Sequence, residues 1–230
     1  MTTITIGRRF RGPENSGNGG YTCGLIAALL DGDAEVTLRR PPPLERPLTV
    51  ERHGAAGASV FAGEILIAQA ETVALEMEVP EPPSVAEAEA ASVRYAGFER
   101  HAFPDCFVCG PDRTDGLRIF VGPIESRGLW AALWRPGASL PGGPVASEFA
   151  WAALDCPGAW AVERAGHNRP VVLGRMAAGI RAEIDPAAVS VAAGWPLGGT
   201  GRKLFAGTAL FDEQGTPVGW ARQTWIVLGQ

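Results

Sequence analysis

The chain runs to 230 residues, long enough for one large domain or two small ones with a substantial core. Its formal net charge of −5, with 20% charged residues, leaves out the basic stripe by which a protein holds nucleic acid or an anionic membrane. No apolar run approaches the roughly 20 residues of a spanning helix, and the opening MTTITIGRRF sets its arginines after a short β-like run rather than before an apolar one, so a cytoplasmic protein without a membrane partner is expected.

Thr3 to Arg9 alternates weakly and predicts a strand, and the turn formers from Gly12 to Gly20 predict a loop. Tyr21 to Leu30 reads as a short helix of small and apolar residues that stops at Asp31-Gly32-Asp33. Strands are predicted over Glu35 to Arg40, Leu48 to Phe61 and Ile65 to Val73. Residues 79–105 are rich in Pro, Ala and Glu. There Ser84, with Glu87 three residues on, is a capping-box signature and predicts a surface helix over Val85 to Tyr95 within a linker.

Strands over Leu117 to Pro123 and Leu129 to Trp134 come next. The stretch from Pro141 to Val162 then carries Phe149, Trp151, Ala152, Leu154 and Trp160 on nearly every face, which predicts a helix buried on several sides with one acid, Asp155, inside it. Strands over Val171 to Ile184, Val189 to Trp195, Gly201 to Phe211 and Val218 to Leu228 complete the chain.

The second part repeats the plan of the first. One helix opens after Asn18-Gly19-Gly20 and the other after Pro141-Gly142-Gly143, and each part later carries Phe-Ala-Gly, at Phe61 and at Phe205. The expected organisation is an N-terminal half over 1–78, a linker over 79–105 and a C-terminal half over 106–230.

This tandem, in which a small-residue helix follows Gly-Gly and strands follow the helix, resembles the double hotdog fold of the acyl-CoA thioesterase II family. The resemblance implies an α+β fold in which each half is a long central helix wrapped by an antiparallel sheet, and an acyl-CoA or related thioester as partner. It also implies roles. AWAALDCPGAW is similar to the setting of that family's catalytic aspartate and points to Asp155; GTPVGWARQTWIVL is similar to the setting of its catalytic glutamine and points to Gln223. The family's threonine on the strand after the helix has no counterpart in VVLGRMAAGIRAEID.

Thioester hydrolysis needs an activated water and donors for the oxyanion. Burial can raise an aspartate from about 3.9 toward neutrality, which suits Asp155 to general-base work. Gln223 can orient water or substrate but cannot be the base. The amides of Gly20 and Tyr21, with Asn18 before them, offer oxyanion donors at a helix N-terminus. Trp130, Phe149 and Trp151 are candidates for the acyl pocket.

Other roles stand beside these. Asp155 before Cys156-Pro157 can cap a helical turn; Gln223 can be a surface polar residue on a strand; Gly19-Gly20 can let two backbones approach; and Glu148 is a reserve acid suited to the helix dipole. Cys106-Phe107-Val108-Cys109 is a single Cys-x-x-Cys with only His101 near enough to be a third ligand, so a turn tucking two small side chains inward is expected, with no metal and no cofactor. The expected function is Asp-assisted acyl-CoA hydrolysis, and the rival is a non-catalytic acyl-CoA or acyl-chain binder. Whether the fused chain forms a homo-oligomer is left open.

Overall fold

The computed structural model describes residues 2–138, 140, 143–164 and 169–229. Eleven strands form one antiparallel sheet among these residues: β1 (Thr2–Thr5), β2 (Ala34–Leu38), β3 (Pro47–Arg52), β4 (Gly57–Ala62), β5 (Ile65–Thr72), β6 (Gly122–Ile124), β7 (Leu129–Trp134), β8 (Val171–Ile180), β9 (Ser190–Thr200), β10 (Lys203–Phe211) and β11 (Pro217–Val227). Three α-helices accompany them: α1 (Gly19–Ala27), α2 (Val85–Ser92) and α3 (Ser147–Arg164). None is long and apolar enough to cross a membrane.

The strand order is β1-β3-β4-β5-β2-β8-β11-β10-β9-β7-β6. Inward from either edge, β6 apart, the same sequence of moves recurs: β1-β3-β4-β5-β2 on one side, β7-β9-β10-β11-β8 on the other. A helix separates the first strand from the second in both, α1 between β1 and β2, α3 between β7 and β8. The two sides join where β2 pairs with β8, Val36 opposite Met176. The Phe-Ala-Gly marks do not coincide within this plan: Phe61 lies near the end of β4, whereas Phe205 lies near the start of β10.

α3 is 18 residues long, and every residue from Phe149 to Cys156 is buried. It packs against α1 and against β7 to β11, which buries its middle turns. α1 is only nine residues. It lies close on α3 because Gly20 and Gly24, one turn apart, lack side chains. A Cβ on Gly24 would stand 2.6 Å from the Glu148 Cα, and one on Gly20 would stand 2.5 Å from the Asp155 Cβ. α2 has the expected capping box, with Glu87 N–H donating to Ser84 Oγ at 3.2 Å and Ser84 N–H to Glu87 Oε2 at 2.8 Å. Its Ala88 and Ala91 are buried in a second, smaller core with Ala131, Ala193 and Phe211, so the linker helix is packed rather than fully exposed.

Several boundaries differ from expectation. The second helix starts at Ser147, not directly after Gly142-Gly143; Pro141, Gly142 and His167 lie outside the described residues. Leu48 to Phe61 is two strands, β3 and β4, rather than one. Leu117, Ile119 and Val121 are buried as their alternation predicts, but residues 117–121 are not in the sheet. Their backbone partners are the cysteine segment instead: Leu117 N–H donates to Phe107 O at 2.8 Å and Ile119 N–H to Val108 O at 2.9 Å.

Candidate active site

Asp155 sits in the middle of α3, 2% exposed. The first turn of α1 meets it there. Asn18 caps that helix, its Oδ1 accepting from Tyr21 N–H at 2.9 Å. This leaves the Asn18 Nδ2 to donate to Asp155 Oδ2 at 2.8 Å. One side chain therefore fixes both the helix start and the carboxylate, and Gly20 makes room for the contact. Asp155 Oδ1 is buried and has no hydrogen-bond partner among the described residues. Burial, the largest influence, pushes the carboxyl up to about 7; the Gly20 backbone amide and the Asn18 side chain pull it down, while the Cys106 sulfur pushes it up. A group so poised exchanges a proton near neutral pH.

A cavity of about 750 Å³ opens beside this carboxylate. Asn18, Gly19, Asp155 and Trp160 line its inner wall, together with Leu173 of β8 and Trp225 of β11. Arg39, Arg40, Arg100 and Arg169, all exposed, stand around it with Glu99 and Glu163. The volume lies in the usual range for a small-molecule site.

Gln223, on β11, is 1% exposed and comes to α3 from the far side. Its Nε2 donates to the backbone carbonyls of Leu154 at 2.7 Å and Asp155 at 3.2 Å, and its Oε1 accepts from Trp225 Nε1 at 2.8 Å. Both carbonyls belong to the turn that leads into Pro157, which has no N–H to donate to the Ala153 carbonyl and so interrupts the helical ladder there. Gly158 and Gly194 admit the arrangement: a Cβ on Gly158 would fall 1.8 Å from Gln223 Oε1, and one on Gly194 would fall 2.3 Å from Pro157 O. Gln223 thus grips the backbone of Asp155, not its carboxylate. A buried threonine does reach Gln223, from β10 rather than from β8, the strand after the helix: Thr208, with its Oγ1 3.5 Å from Nε2.

The other expected site residues divide. Asn18 and Asp155 are together, and Gly20 lies against them. The Tyr21 amide is not a free oxyanion donor, because the Asn18 cap takes it. Its ring stacks on Phe10, centroids 4.1 Å apart, and meets Phe107 and Phe149. Phe149 therefore belongs to this aromatic cluster, and neither it nor Trp151 lines the cavity. Trp130 borders a separate space of about 280 Å³. Glu148, the reserve acid, packs its backbone on Gly24 and is likewise absent from the cavity wall. Cys106, Cys109, Cys156 and His101 are in that wall, although sequence spacing assigned them no part in the site.

No family model matches the sequence, and none of the curated proteins does. Solved structures do match over nearly the full length. The tesB protein of Mycobacterium avium subsp. paratuberculosis is 13% identical, with a TM-score of 0.63, 99% of this chain and 92% of that one covered. The acyl-CoA thioesterase II TesB2 of Mycobacterium marinum is 12% identical, with a TM-score of 0.62, 99% and 93% covered. A conserved hotdog-fold protein of unknown function from Alicyclobacillus acidocaldarius is 10% identical, with a TM-score of 0.65, again 99% and 93% covered. At these identities the likeness establishes the fold, a hotdog fold of the kind seen in thioesterase II proteins.

Proposed function

We propose, from a hotdog fold that spans the chain, that this protein is an acyl-CoA thioesterase-like hydrolase built as two fused hotdog units. The units are residues 1–78 and 106–230 with 79–105 between them, and the recurring strand order supports this division. The observation that carries the function is the buried Asp155 carboxylate at a cavity wall, with Oδ2 held by Asn18 and Oδ1 without a hydrogen bond among the described residues. A buried unpaired acceptor beside open space is suited to hold a water. The ionised carboxylate takes one proton from that water as its oxygen attacks the thioester carbonyl carbon. The tetrahedral adduct then expels the thiolate, which recovers the proton from Asp155, so the products are one carboxylic acid and one thiol. The Gly19 backbone amide, at the α1 N-terminus and on the cavity wall, suits the oxyanion. Arginines around the mouth suit the phosphates of coenzyme A.

A second reading, acyl-CoA binding without turnover, draws support from Gln223, whose polar atoms are all engaged within the protein. Purified protein assayed against acyl-CoAs of graded chain length with a thiol-detecting reagent separates the two. Turnover that is abolished in Asp155→Asn is expected; equal turnover in that variant would remove Asp155 from the mechanism. Tight binding with no turnover at any chain length would establish the second reading.

A further inference from the structure

Three of the four cysteines converge on one point of the cavity wall. Cys106 and Cys109 come from a tight turn closed by Gly110 N–H donating to Cys106 O at 2.8 Å, and Cys156 comes from α3, next to Asp155. Their sulfurs lie within 4.8 Å of one another, and Cys106 Sγ is 3.8 Å from Cys156 Sγ. A disulfide needs about 2.05 Å, so this is not a bonded pair. Two thiolates on one tetrahedral zinc, each with Zn–S of about 2.3 Å, stand about 3.8 Å apart.

Side-chain donors stand beside two of the three sulfurs. Asn18 Nδ2 lies 3.8 Å from the Cys106 sulfur. His101 Nδ1 accepts from Phe103 N–H at 2.9 Å, which leaves the ring proton on Nε2, 3.3 Å from Cys109 Sγ. His101 is therefore a donor to that sulfur and not a ligand.

The segment is also held rigidly. Arg11 pairs with Asp105 at 2.7 Å, Phe107 N–H donates to Arg11 O at 2.8 Å, and Tyr95 Oη donates to Cys109 O at 2.7 Å. A Cβ on Gly110 would come 2.4 Å from Pro104 O, so the turn admits no larger residue there.

We propose that Cys106, Cys109 and Cys156 bind a thiophilic divalent metal, zinc by preference, as three thiolates, with the fourth position facing the cavity. Binding releases three thiol protons and leaves a site of net charge −1, which the donors from His101 and Asn18 offset. The site is independent of whether the protein hydrolyses thioesters. Asn18, which touches both Asp155 and Cys106, ties the metal site to the carboxylate.

Protein produced in zinc-supplemented medium and purified without chelator should carry about one zinc per chain by elemental analysis. X-ray absorption should show three sulfurs at about 2.3 Å and one lighter atom. Cobalt exchanged into the site should give sulfur-to-metal charge-transfer absorption, lost in Cys109→Ala and Cys156→Ala and retained in Cys23→Ala. His101→Ala should weaken zinc about 10- to 100-fold in competition with a chromophoric chelator while keeping the three-sulfur signature. Protein that binds neither metal, with its cysteines free to thiol reagents or two of them joined in a disulfide, would overturn the assignment. So would a metal shell without sulfur. The measurements on the unmutated protein decide the matter even where a cysteine variant does not fold.

Discussion

Gln223 shows how a residue beside a reactive group can act through the backbone. Its amide donates to two carbonyls of α3 and accepts the Trp225 indole N–H, all out of water. Gln223→Ala would leave the buried Trp225 indole N–H without a partner, at about 1–3 kcal/mol, take a second donor from the two carbonyls, and open a cavity beside Gly158. We expect a loss of about 2–5 kcal/mol in urea unfolding. Asp155→Asn, which keeps the shape and the Oδ acceptor, should lose far less. A Gln223→Ala protein as stable as its parent would show that the bonds contribute nothing. Asp155 itself was legible, because one acid inside an otherwise apolar helix stands out. Cys156 and Thr208 were not, since a small buried thiol or hydroxyl on a helix or strand carries no sign of which distant side chain it will face.

At the scale of elements, the meeting of α1 and α3 rests on what Gly20 and Gly24 lack. Helix propensity alone says Gly24→Ala should stabilise by about 1 kcal/mol. The added Cβ would stand 2.6 Å from the Glu148 Cα and 2.8 Å from the Trp151 Cβ, and neither atom can swing away as a side-chain tip would. Overpacking of this kind costs about 1–3 kcal/mol, so we expect a net loss, read as a lower urea midpoint with an unchanged slope. A rise in the midpoint would mean that the helices separate at little cost. The sequence showed both helices and nearly every strand, because apolar periodicity and turn residues mark elements locally. It did not show where α3 starts or that residues 117–121 leave the sheet: alternation reports burial, not the partner, and here the partner is the cysteine turn.

At the scale of the whole molecule, the two sides of the sheet meet along β2 and β8, and charged pairs reinforce that seam. Arg175 of β8 reaches Glu35 at 3.1 Å and Thr37 Oγ1 at 2.9 Å, both on β2. Just beyond the strands, Arg181 makes a two-pronged contact with Asp33, Nη2 to Oδ2 at 2.6 Å, and lies 4.4 Å from the centre of the Trp220 ring. The hydrogen bond from Arg181 holds the Asp33 carboxyl below its ordinary value, with burial opposing. A carboxyl depressed by folding adds stability at pH values above its unfolded pKa, about 3.9, and loses that contribution as the pH falls through its lower folded value. Both side chains are partly open to water, at 34% for Arg181 and 15% for Asp33. Screening therefore limits the pair to about 1 kcal/mol, despite its two-pronged geometry. Asp33→Asn should accordingly be less stable than the parent by about that amount at pH 7. The difference should hold down to the ordinary carboxylate range and shrink below it, because the parent then takes up the proton that the variant never releases. Urea unfolding of the two proteins at pH 7, 5 and 3 checks this; a gap that is constant across the series would mean that Asp33 holds the seam by shape and hydrogen bonding rather than by charge.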